Sequence, residues 1–206
     1  MLLRRLLNVA ICGASLAFLP MSAQAAADIG KAAPAFSVKT ATGETLSLDS
    51  LKGKTVVLEW TNNECPYVVK HYGSGNIPNL QKEATAQGVV WLQVISSAPG
   101  AQGHVDAQTA LKLNADRGAA PSKVLLDYDG KVGKQYDAQT TPHLYIINPE
   151  GVLVYKGGID SIATAKVEDI AKADNYVKLA LSELASGKKV SHAVTKPYGC
   201  SIKYAS

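Results

Sequence analysis

The sequence predicts an α/β domain with a central mixed β-sheet, helices on both faces and a small N-terminal β-hairpin. Three observations carry this. Two β-branched, mostly apolar runs, TVVLEW at 55–60 and VVWLQVI at 89–95, have the composition of buried central strands. Helical stretches separate these runs from each other and from a short strand at 123–126. Pro149-Glu150-Gly151 then reads as a hairpin turn between strands at 144–148 and 152–156, which must run antiparallel. Alternation in the middle and a hairpin near the end give a sheet of mixed direction.

The N-terminus reads as an export signal. Arg4 and Arg5 precede an apolar run of about 14 residues, and Ala23-Gln24-Ala25 supplies the small-x-small cleavage pattern. The run is short of the roughly 20 residues that span a bilayer. Residues 1–25 are therefore expected to be a signal peptide and 26–206 the mature domain, periplasmic or secreted. Ile11 before Cys12 argues against lipidation, and no stable membrane association is expected after cleavage.

In the mature chain, residues 26–33 form a lead. Strands at 36–38 and 45–48 flank Ala41-Thr42-Gly43-Glu44 as the hairpin. A turn at 52–54 leads into the strand at 55–60. Cys65-Pro66 opens a helix, because proline suits the first helical position, where an N–H has no partner. Gly73-Ser74-Gly75 interrupts that helix, and Pro78 restarts one that ends at Gln87-Gly88. A helix at 105–115 and a helical turn at 131–136 bracket the strand at 123–126. Apolar Val167, Ile170, Ala171, Val177, Leu181 and Leu184 predict one long helix over 164–186. The tail, 187–206, has no clear periodicity.

Charge narrows the partners. The formal net charge of the full chain is +4, and signal removal takes two arginines with it. No basic block or interleaving of aromatic and basic residues marks a nucleic-acid surface. Cys12 leaves with the signal, so Cys65 and Cys200 remain, an even pair in a disulfide-permissive compartment.

Cys65 carries the chemistry. The unpaired N–H groups and dipole of a helix start favour negative charge. A free cysteine pKa of about 8.5 falls to roughly 3.5–7.5 in such places, and the thiolate is the species that attacks disulfides and peroxides. The competing reading is a buried, inert core cysteine. Asn62, Asn63 and Glu64 form the loop before the thiol and, with Pro66, shape its access. His71 lies six residues along the helix, roughly 120° around and about 9 Å away, so it is expected to pack or cap.

LKGKTVVLEWTNNECPYVVKHY and TTPHLYIINPEGVLVYKGGID together resemble the thioredoxin superfamily. More narrowly, the chain is similar to peroxiredoxin-like redoxins of the AhpC/TSA type, in a subgroup carrying CPYV and a late GCxIK. The resemblance covers residues 28–206 and implies a thioredoxin fold. Two departures stand out. The usual second cysteine, three residues after the first, is Val68. The peroxiredoxin Pro-x-x-x-Thr/Ser-x-x-Cys motif meets Leu58 and Asn62, with Thr61 one place out of register.

The resemblance assigns further roles. Thr141-Pro142 matches the threonine and cis-proline beside the active cysteine, where residue 141 would pair with an extended substrate segment. His143 follows directly and could lie nearer the thiol than His71. Glu59 matches a buried thioredoxin carboxylate that moves protons, the other reading being a solvent-facing edge residue. Arg117 reads as a surface residue. The expected catalytic set is thus Cys65, Cys200 and Glu59, and the substrate-binding set Asn63, Glu64, Pro66, Thr141, Pro142 and His143. Cys200 is either a resolving thiol, a structural staple, or a cysteine that never meets Cys65. The predicted activity is thiol–disulfide exchange or peroxide reduction, with a disulfide or hydroperoxide substrate, an external thiol reductant and no cofactor. The alternatives are copper binding by Cys65, Cys200 and His143, or a redox-inert module on the same fold.

Overall fold

The computed structural model describes residues 27–205. The expected signal peptide, 1–25, lies outside them.

Strands β1 (Ser37–Lys39) and β2 (Thr45–Ser47) form the N-terminal hairpin. The five-stranded sheet contains β3 (Val56–Trp60), β4 (Val90–Ile95), β5 (Lys123–Leu126), β7 (His143–Ile147) and β8 (Leu153–Gly157), in the order β5-β4-β3-β7-β8. β3, β4 and β5 are parallel, and β7 and β8 are each antiparallel to their neighbours. The short strand β6 (Thr140–Thr141) stands just outside the sheet and pairs with β9 (Cys200–Ser201).

Alternation along the strands splits the core in two. Val56, Leu58, Trp60, Leu92, Val94 and Tyr145 face one side, where Phe36, Val132 and Tyr136 pack against them. Val57, Trp91, Leu144 and Ile146 face the other, beneath helices α1 (Pro66–Gly73) and α2 (Asn76–Ala86). Helix α3 (Ala107–Asp116) lays Ala110 on Ile95 and Val124, and α4 (Lys131–Gln135) brings Val132 into the first core. Helix α5 (Tyr176–Ala185) brings Val177 and Ala180 into the second.

The single long helix expected over 164–186 is corrected. A 3-10 helix occupies Val167–Lys172, and α5 begins only at Tyr176. Between them Ala173 is extended, because the chain is drawn against the Asp160 segment: Ser161 N–H donates to the Asp174 carbonyl and Tyr176 N–H to the Ile159 carbonyl, each at 3.1 Å. Asn175 then caps α5, its side chain accepting from Lys178 N–H. Val167, expected on the apolar helix face, is 54% exposed.

The tail without periodicity is ordered by long-range pairing. Lys156 N–H donates to the Ala193 carbonyl and Thr195 N–H to the Lys156 carbonyl, so the tail runs beside β8 before reaching β6.

Candidate active site

The loop between β3 and α1 leaves the C-terminal edge of the parallel strands, where open α/β sheets place their sites. Asn62 Oδ1 accepts from Glu64 N–H at 2.8 Å, and Cys65 N–H donates to the Asn62 carbonyl at 3.1 Å. Glu64 Oε2 in turn accepts from Gly103 N–H at 2.7 Å, which ties the loop to its neighbour. Cys65 is then the N-cap of α1, with Pro66 in the first turn, and is fully buried.

Two other segments converge on the sulfur. The Cys65 thiol donates to the Thr141 carbonyl at 3.1 Å, and the Thr141–Pro142 bond is cis. Cys200 N–H donates to the Cys65 sulfur at 3.4 Å. The tail reaches this spot because Thr141 pairs with Cys200 and Thr140 with Ser201. Gly199 permits the approach: its φ is +131°, and a Cβ there would overlap the Thr141 carbonyl.

The two thiols titrate apart. Burial opposes ionisation of Cys65, but hydrogen bonds from the Cys200 thiol, the Val68 and Cys200 amides and Thr141 outweigh it and hold its pKa below the ordinary value. Cys200 is pushed up to about 11 by burial and by its position beside Cys65. The pair is thus ordered, with Cys65 the more acidic thiol and Cys200 the less acidic one.

Behind the thiol lies a buried polar network. Glu59 accepts from Tyr72 Oη at 2.5 Å, Trp91 Nε1 at 2.7 Å and Gln81 Nε2 at 3.0 Å. Burial raises its pKa against the pull of Tyr72, Trp91, the Arg117 charge and Gln81. Gln93 donates to Tyr72, Asn114 to Gln93 at 2.7 Å, and Arg117 to Asn114 at 2.8 Å. The Arg117 guanidinium lies 3.6 Å from the Tyr72 ring centroid, so it is a member of this network and not the surface residue expected. Glu59 and Gln93 oppose each other in register, one polar residue in each of two apolar strands. That pairing is the sequence signal for the network. Arg117 has no local one.

Not every expected residue meets the thiol. Asn63, Glu64 and Pro66 flank Cys65 in sequence, and Thr141 and Pro142 adjoin it in space. His143 does not join them. Its ring accepts from Gln139 N–H at 3.2 Å and stacks near Tyr145, which faces the first core, while Cys65 lies in the second. Burial and the Lys156 charge lower its pKa to about 3. The physical reason is strand alternation: the residue next to Leu144 must point to the opposite face. A copper site joining Cys65, Cys200 and His143 therefore has no geometry here. His71 is fully buried, its ring bonded to Asn76 at 2.8 Å and Tyr198 Oη at 3.1 Å, and burial lowers its pKa to about 4.

The sheet order, the cysteine at a helix start and the Thr-Pro segment beside it define a thioredoxin-superfamily redoxin. The AhpC/TSA family model matches residues 29–156, and the chain belongs to the AhpC/TSA family. A Coxiella burnetii protein assigned as peroxiredoxin bcp is 28% identical over 156 residues, spanning 73% of this chain and 93% of that one. An uncharacterized conserved protein of Geobacillus kaustophilus superposes with a TM-score of 0.72 at 26% identity, covering 87% of this chain and 93% of its own. A hypothetical protein of Sinorhizobium meliloti also gives 0.72, at 21% identity over 87% and 96% of the two chains. The protein is a peroxiredoxin-like thiol oxidoreductase.

The titration asymmetry is measurable. The rate of Cys65 alkylation against pH is expected to reach half its plateau below the free-cysteine value of about 8.5. Cys200→Ala, which removes one donor, should move that midpoint upward. A wild-type midpoint at or above the free value would contradict the assignment.

Proposed function

We propose that Cys65 is the attacking thiol and Cys200 the resolving thiol of a two-cysteine redox cycle. One observation carries this: the β6–β9 pairing lays the Cys200 backbone on the Cys65 sulfur. With a disulfide, the Cys65 thiolate bonds to one substrate sulfur and expels the other as thiolate. With a hydroperoxide, it takes the terminal oxygen to give a sulfenic acid and releases the alcohol, or water from hydrogen peroxide. Cys200 then gives up its proton and attacks the Cys65 sulfur. This forms Cys65–Cys200 and releases either the substrate thiol or water. An external dithiol returns both cysteines to the reduced state. Because position 68 is valine, an internal disulfide needs the distant partner.

Asn63, Glu64, Pro66, Thr141 and Pro142 border the place where substrate would meet the sulfur, which supports a binding role for them. Glu59 does not touch the thiol. Its raised pKa and its hydrogen bonds support a proton-holding role exerted through the network. The leader read at 1–25 supports export, to a compartment where an external reductant must renew the pair.

Peroxide oxidation read by intact mass tests the thiol roles. Wild type should lose two hydrogens as the disulfide forms. Cys200→Ser should gain one oxygen at Cys65, and Cys65→Ser should stay unchanged under the same mild dose. Disulfide-free wild type, or a reactive Cys65→Ser, would overturn the assignment. For Glu59, the pH–rate profile of Glu59→Gln should shift with the protein still folded. An unchanged profile would reduce Glu59 to a structural role.

A further inference from the structure

The thiol is buried by the tail of its own chain, and the manner of burial bears on substrate size. An extended polypeptide binds such a site by adding main-chain hydrogen bonds to an open strand edge. The edge beside Cys65 is β6, and β9 already fills it. Ile202 N–H donates to the Gln139 carbonyl at 3.0 Å and extends that ladder. The tail therefore occupies the path that an incoming strand would follow, with Cys200 where the reacting residue of that strand would sit.

The occupant is anchored on both sides of the sulfur. Upstream, Thr195 Oγ1 accepts from Gly158 N–H at 3.1 Å. Tyr198 Oη bonds His71 Nε2 at 3.1 Å and donates to Asp160, and its ring meets Tyr67 edge-on at 5.6 Å. Downstream, Ala98 N–H donates to the Lys203 carbonyl at 2.8 Å, and Tyr204 Oη to the Ala138 carbonyl at 2.7 Å. Gly133 leaves the space for that tyrosine, since a Cβ there would overlap the ring. The upstream anchor has a built-in compensation. Lys70 Nζ and Asp160 Oδ2 lie buried near Tyr198 and 3.7 Å apart. Lifting Tyr198 would hydrate both charges, which offsets part of the cost of breaking its hydrogen bonds.

We infer that the tail is a tethered stand-in for a substrate strand, so that the docked protein acts on small hydroperoxides and small disulfides, and polypeptide disulfides enter only after the tail lifts. This rests on the reading of Cys65 as the attacking thiol. A small oxidant needs only a local fluctuation to reach the sulfur, whereas a strand needs all of β6 vacated. Tyr198 is a positioning residue, acting through the placement of Cys200 and the tail.

The test uses the reduced mature protein carrying Cys200→Ser, which keeps the tail and removes the second thiol. Cys65 oxidation is timed with hydrogen peroxide and with an unstructured peptide dimer joined by one disulfide. Gly199→Val, which forces the tail off Thr141, should raise the ratio of peptide to peroxide rate by about tenfold or more, the effect of about 1.4 kcal/mol of lost docking. Tyr198→Phe keeps the ring and loses the hydroxyl bonds. It should raise the ratio in the same direction by roughly fivefold, the equivalent of about 1 kcal/mol. The ratio cancels any change in the thiolate population, which affects both oxidants alike. A ratio unmoved in both folded variants, with Cys65 reactive throughout, overturns this inference alone. A Cys65 inert to both oxidants in every variant overturns the attacking-thiol reading as well.

Discussion

The Cys65 sulfur is held where three chain segments meet, and most of the structure can be traced to keeping them together. The β3–α1 loop brings the cysteine to the start of a helix, the carbonyl of Thr141 accepts its thiol, and the amide of Cys200 closes the third side. Each segment has its own support. Glu64 is fastened to Gly103, Thr141 continues almost directly into β7, and Cys200 is carried by a tail bonded to β8, to α1 and to the α4 region. A sulfur buried without such partners would be a neutral core thiol. The convergence of amide and thiol donors on it favours a thiolate despite burial.

The same convergence makes the two thiols unequal in acidity. Both are partly or wholly withdrawn from water, but only Cys65 gains from the donors of a helix start. Cys200 sits at the receiving end: a thiolate forming next to it raises the cost of its own ionisation. The order of acidity therefore follows from where each cysteine sits. The fold itself is widely shared and does not dictate this order. What particularises the chain is that position 68 is valine while a second cysteine, Cys200, is brought to Cys65 from far along the sequence.

Much of the scaffold is legible in the sequence because it rests on short-range rules. Strand composition and the Cys-Pro pair at a helix start are local signals, and the five main strands and α1 follow them within a residue or two. The long helix is illegible because apolar spacing continues through Val167 and Ile170, while the break at Ala173 comes from pairing with the distant Asp160 segment. His143 is suggested by sequence proximity to Pro142, although the alternation of β7 turns it away. Arg117 carries no sequence signal because its partners, Asn114 and the Tyr72 ring, lie on two different helices. The tail has no periodic signal because its order comes from pairing with residues far back in the chain, such as Lys156 with Ala193 and Thr141 with Cys200. The even cysteine count alone hints that it returns to the site.

In the reduced protein the tail is docked as a strand across the thiol. Amide hydrogen exchange measures this most directly, because Ile202 N–H is bonded to the Gln139 carbonyl only when the tail is in place. Docking predicts that Ile202 exchanges far more slowly than an unstructured amide before any disulfide has formed. Exchange at the unstructured rate in the reduced, folded protein would contradict it.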